Sequence, residues 1–301
     1  MSRRGWLLFA AMSVIWGMPY LLIKVAVGGV SVPVLVFART FVGALVLLPL
    51  AIRRRELAPL LAHWRLLLLF AVIEIIGPWW LLSSAEEKLS SSMSGLLIAA
   101  VPIIGAVLAR AVSHTDRLTP IRWAGLLVGL AGVGLLVGPG AHGGSTWAIT
   151  EVLLTALGYA CGPLLADRYL TALPKLGMTA ACLAFAALVY AAPAAATLPH
   201  SVPSAKVLGS MLGLALVCTA LAFLLFFALI AEIGPARATV ITYLNPAVAV
   251  ALGVGLLGES FTPAIAVSFG LILTGSVLAT RSGARKTARE QEPEPIPAIP
   301  D

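Results

Sequence analysis

Long, nearly uncharged apolar runs follow one another along this chain, separated by short breaks of Gly, Pro or charged residues, and this alternation restricts the fold more than any other feature. A helix needs about 20 such residues to cross the hydrocarbon of a bilayer. On that basis the spans are predicted at Trp6–Ala26, Val32–Ile52, Leu66–Ser83, Met93–Ala111, Ile121–Val137, Trp147–Ala166, Met178–Ala196, Val207–Ala231, Ala238–Leu257 and Ala264–Thr280. Only 11% of the residues are charged and mean hydropathy is +1.01, too little charge for the surface of a water-soluble domain. The expected fold is all-α, a polytopic membrane protein of ten transmembrane helices.

The basic residues carry topology rather than nucleic-acid binding. The formal net charge is +7, but it falls in short clusters such as Arg53-Arg54-Arg55 with no interleaved aromatics. With the N-terminus placed in the cytoplasm, sixteen Lys and Arg fall on the inner side and only Lys88 and Lys206 on the outer side; Lys24 and Arg39 lie within helices. That bias supports an even helix count with both termini cytoplasmic, in a cell (inner) membrane. The basic opening Met1–Arg4 precedes a run too long for a signal peptide and reads as a retained first helix. The Pro-rich tail, 282–301, is expected to be disordered.

The chain also resembles itself. Pro102 and Pro246 match at a shift of 144, and Asp116 with Glu259, Thr119-Pro120 with Thr262-Pro263, Gly132 with Gly275 and Trp16 with Tyr159 match at 143. Two units follow, 1–140 and 141–281. Five helices each makes the second inverted relative to the first, an arrangement that lets a central site alternate between two exposures.

Trp16-Gly17-Met18-Pro19-Tyr20-Leu21-Leu22-Ile23-Lys24, Arg39, and Tyr243-Leu244-Asn245-Pro246 running to Gly258-Glu259 and Gly275 together resemble the EamA-type members of the drug/metabolite transporter superfamily, over nearly the whole chain. Thr115-Asp116 departs from the Gly-Glu usual there. The resemblance implies ten helices, transport of a small solute (export of metabolites, amino acids or drug-like compounds foremost) and no cofactor.

Four ionisable residues fall inside predicted spans away from the cytoplasmic ends, where a charge costs at least about 2.5–3.5 kcal/mol and so faces a cavity or a partner. Glu74 lies about 12 Å into the core by helical rise. A carboxyl group there can bind and release a proton, or be neutralised by a neighbouring arginine. Arg39, about 10 Å from the outer end of its helix, can grip a carboxylate or phosphate, or neutralise Glu74. Lys24 can meet substrate charge or snorkel to water. Glu151, placed in a first turn, suits the helix dipole. Pro102 and Pro246 are the expected bends around a central site. Trp16, Tyr20, Trp79, Tyr159, Tyr243 and Asn245 can line a pocket, whereas Trp6 and Trp147 fit an interfacial belt. Gly125-Gly129 and Gly134-Gly138 suit close helix contacts.

An intramembrane enzyme lacks its ligands in this pattern. His63, His114, His142 and His200 all fall in loops, and Cys161, Cys182 and Cys218 sit singly in apolar runs, so neither a metal centre nor a disulfide framework is legible. A channel or a non-transporting receptor is the rival to a carrier. Expected partners are a small-molecule substrate, the bilayer and protons. Association of two copies is left open, and nucleic acid is excluded.

Overall fold

A computed structural model describes residues 1–112, 119–137 and 145–280. Among these the chain is helical, and eight helices are long and apolar enough to cross a membrane: α1 (Arg3–Ala26), α2 (Val32–Arg53), α3 (Trp64–Glu86), α4 (Ser91–Ala111), α6 (Thr146–Tyr169), α7 (Lys175–Ala196), α8 (Ala205–Ile233) and α9 (Thr239–Leu257). Two shorter apolar helices complete the order, α5 (Pro120–Leu136) and α10 (Pro263–Ala279). Asp116, His114, His142, the Gly138–Gly140 connection and the tail from Arg281 lie outside the described residues.

Large apolar side chains point outward along these helices, among them Trp6, Leu7, Leu45, Leu127, Leu188 and Leu256. Helices with apolar outer faces have no stable aqueous solvation, so lipid is their medium. Trp6 and Trp147 are both 59% exposed, as belt residues require.

Several helices start at offsets of one half-chain: Arg3 and Thr146, Val32 and Lys175, Pro120 and Pro263 are each 143 apart. The packing carries the same relation. α1 packs on α8 and α9, while α6 packs on α3 and α4; α2 packs on α8, and α3 on α7. Three pairs run antiparallel to their counterparts. α2 lies along α7, with Ser31 bonded to Thr197 at one end (2.8 Å) and the Gly177 N–H donating to Glu56 just beyond α2 at the other (2.8 Å). α4 lies along α9, where Gly95 abuts Ala249. α5 lies along α10: Gly125 and Gly129 meet Ala279 and Gly275, and Gly132 meets Leu271 and Ile272. A Cβ on Gly275 would overlap the Gly129 backbone, so the small residues set how closely these helices approach. Arg122 Nε donates to Ala279 O (3.0 Å) at the end of this pair. Gly134, by contrast, has nothing within 4 Å of a built Cβ. The expected close contact there does not form, because that face of α5 turns away from α10.

Several breaks in the helices fall beside prolines. Pro78 has no N–H to give, and just before it Val72–Ile76 opens into a π-turn; Tyr190 Oη donates to the Ile76 carbonyl within this segment (2.6 Å). A second π-segment, Gly213–Leu221, occupies the corresponding part of α8. In α4 the helix is interrupted at Ala99-Ala100, immediately ahead of Pro102, and Ser276 Oγ satisfies Ala99 O (2.9 Å). In α9 a 3-10 turn, Thr239–Tyr243, gives way to regular helix at Asn245-Pro246.

α9 ends on Gly258, whose φ of +68° only glycine adopts at little cost. The reversal delivers Glu259 to the N-terminus of α4. There its carboxylate accepts from the Ser91 and Ser92 N–H groups (2.7 and 2.9 Å) and from both hydroxyls. An anion at a helix N-terminus satisfies orphan donors and opposes the dipole.

Candidate functional site

A buried polar cluster forms where α1, α2, α3, α6 and α8 meet. Arg39, 8% exposed, is its centre. Its guanidinium lies 3.6 Å above the Trp79 ring, and Nε donates to Thr219 Oγ1 (2.9 Å). Thr219 is oriented by its own bond to Leu214 O (2.8 Å), five residues back in the π-segment of α8. Among the described residues the two terminal nitrogens of Arg39 make no hydrogen bond comparable to that of Nε. A planar cation held by its edge and one face keeps its outer fork free for an anion.

Tyr20 of α1, 6% exposed, and Tyr159 of α6 lie within electrostatic reach of Arg39 and of each other, and the Trp79 indole faces the Tyr159 hydroxyl. Glu74 reaches the same group through Tyr159. Its Oε2 is enclosed without a hydrogen-bond partner, pressed against Gly162 of α6 at a point where a Cβ would overlap it. Among the described residues Glu74 and Arg39 form no ion pair, so mutual neutralisation, one of the two sequence alternatives, is not what holds either.

Lys24 is partly buried. Its Nζ donates to Glu86 O at the end of α3 (2.6 Å). Glu151 stands beyond the first turn, because α6 begins at Thr146. It is 4% exposed and accepts from Ser84 Oγ (2.8 Å). The helix-dipole role expected for it in a first turn gives way to a buried link between α3 and α6.

The structure therefore joins Tyr20, Lys24, Arg39, Trp79 and Tyr159, with Glu74 beside them. The remaining sequence candidates take partners elsewhere. Trp16 packs on Phe223 and Phe226 of α8 (centroids 6.1 and 4.6 Å). Tyr243 Oη donates to Ser276 O (3.4 Å). The Asn245 amide, with its nitrogen turned inward, donates to Ile241 O and Ser13 O (3.0 and 3.2 Å) and ties α9 to α1. Pro102 and Pro246 follow the breaks in α4 and α9.

Sequence reasoning missed Glu86 and Thr219. Glu86 stood in an apparent loop, Glu86-Glu87-Lys88, yet α3 runs on to include it and it is fully buried. Thr219 carried no signal. Among the described residues no three His, Cys, Asp or Glu side chains converge as metal ligands would, and the three cysteines are free thiols.

Apolar helices of membrane-spanning length around a buried polar cluster define a multi-pass membrane protein. The chain belongs to the EamA-like transporter family, which matches residues 3–138 and again 146–281. It is similar to the uncharacterized inner membrane transporter YedA of Escherichia coli, with 28% identity over 277 residues, 90% of this chain and 88% of that protein. It is also similar to a probable terminal-alkyne amino-acid exporter of Streptantibioticus cattleyicolor, with 28% identity over 293 residues, 93% and 94% of the two chains. A solved crystal structure shares the fold with TM-score 0.65 and 21% identity, covering 93% of this chain and 97% of that one.

Proposed function

We propose that this protein is a secondary-active carrier that exports small organic solutes, such as metabolites, amino acids or drug-like compounds, by alternating access between two inverted five-helix halves. The observation that carries the reading is the packing around the Arg39 cluster. Exchanging each helix with its counterpart half a chain away turns the α1 contacts into the α6 contacts and leaves α2–α7, α4–α9 and α5–α10 as antiparallel pairs. Such symmetry within the membrane plane is what lets one buried site open to either face. The repeated family match and the equal spacing of helix starts support the same two units, 1–140 and 141–281.

α5 and α10 reach roughly 25 Å at 1.5 Å per residue, short of a full bilayer, but their paired glycine contacts suit two spans lying together. On this reading both termini are cytoplasmic. Arg39 meets the anionic group of the solute, Tyr20, Trp79 and Tyr159 shape its apolar part, and Lys24 supplies a second cation. Glu74 handles a proton. The solute class accords with the name of the Streptantibioticus relative.

The test is a comparison of exported metabolites between cells with and without the chain, followed by flux of the accumulated solute in liposomes. Saturable flux that responds to a pH gradient supports the carrier. Flux without saturation favours a pore, and no difference in any solute sinks the reading.

A further inference from the structure

Glu86, the last residue of α3, is 0% exposed and neither carboxylate oxygen has a hydrogen-bond partner. The groups facing it are Lys24 and Tyr20 from α1, Arg39 from α2, Tyr159 from α6 and Glu259 from the turn after α9. None bonds it. Arg39 is engaged by Trp79 and Thr219, and the Glu259 carboxyl group is held by α4. Lys24, the cation nearest by contact, donates to the main-chain oxygen of Glu86 rather than to its carboxyl group.

A bare carboxylate enclosed without donors is strongly unfavourable, and the nearby Glu259 carboxyl group adds to that. The same carboxyl has an ammonium tethered to its own residue. Glu86 thus has a favourable arrangement in each charge state: neutral when enclosed as here, and ionised when Lys24 turns from the carbonyl to the carboxylate. Among the described residues Glu74 has no such resident cation, and its enclosed oxygen faces Gly162.

We propose that Glu86 is a proton-carrying residue of the transport cycle, with Lys24 as the partner of its ionised form. When α1 and α3 part, the Glu86 O–H gives its proton to water and Lys24 pairs with the resulting carboxylate. Uptake of a proton from water reverses this, returning Lys24 to the carbonyl and allowing the helices to close. The inference rests on the carrier reading and adds a second carboxyl group to it.

The test uses the full chain in liposomes, treated with a hydrophobic carbodiimide that reacts with neutral carboxylic acids, adducts being located by peptide mass spectrometry across neutral and alkaline pH. The expected result is an adduct at Glu86 that declines as pH rises. In Lys24→Ala the decline moves to higher pH, because the charged form has lost its partner. Absence of the adduct at every pH, or an identical profile in Lys24→Ala, overturns the proposal. With the solute in hand, Glu86→Gln is expected to lose gradient-driven flux and Glu86→Asp to retain it; full gradient-driven flux in Glu86→Gln also overturns it. A wild-type protein that moves no solute would fail the carrier reading alone, since the labelling reads Glu86 without any solute.

Discussion

The guanidinium of Arg39 lies 3.6 Å above the ring of Trp79, so a cation of α2 is held by an aromatic face of α3. Lysine at position 39 would keep the charge but lose the flat stacking and the fork. Arg39→Lys is therefore expected to reduce solute flux strongly at unchanged membrane levels, and to cost about 0.5–2 kcal/mol of stability through the lost stacking. Flux in liposomes and thermal unfolding in detergent read the two effects separately. Full flux would remove Arg39 from solute binding.

Glu74 and Gly162 occupy adjoining space, with no room for a Cβ at position 162. Gly162→Ala is expected to destabilise by about 1–3 kcal/mol, and Glu74→Ala in the same chain to relieve part of that loss; additive unfolding shifts would deny the contact. Glu74→Gln, nearly isosteric, is expected to insert normally and to lose proton-driven transport. Retention of that transport would take Glu74 out of coupling.

The α5–α10 crossing gives substitutions of opposite sign. A methyl group on Gly275 meets the Gly129 backbone, so Gly275→Ala is expected to cost about 1–3 kcal/mol. Gly134 faces open space in the same helix pair, and Gly134→Ala is expected to stabilise by up to about 1 kcal/mol through helix propensity. Equal shifts in the melting temperature of the two variants would contradict the crossing.

Glu259 accepts four hydrogen bonds at the start of α4. Glu259→Gln replaces one acceptor oxygen by a donor facing donors and is expected to cost about 1–3 kcal/mol. Thermal unfolding checks this, and an unchanged midpoint would show the cap to be dispensable.

The helices themselves were legible because bilayer thickness imposes a run length that composition alone reveals. α3 ran past its expected end at Ser83 because Glu86 is charged, and charge reads as surface until a neighbouring helix covers it. The same limit applies to Glu151, whose burial depends on Ser84 of another helix. Arg39 was recognisable as a charge at depth, but its partners Trp79 and Thr219 stand on α3 and α8, far away in the sequence. Gly125, Gly129 and Gly134 share one helix and look alike as letters. Only the direction of α10 separates the two that pack from the one that does not.

The cross-packing of α1 on α8 and of α6 on α3 has a consequence for how the chain is assembled. Among the described residues α1 packs mainly on α8 and α9, and α6 on α3 and α4, so each of these helices finds its main partners in the other half of the sequence. Cutting the connection after Val137 should accordingly yield not two folding units but two fragments that are degraded when made singly and recover a working protein when synthesised together.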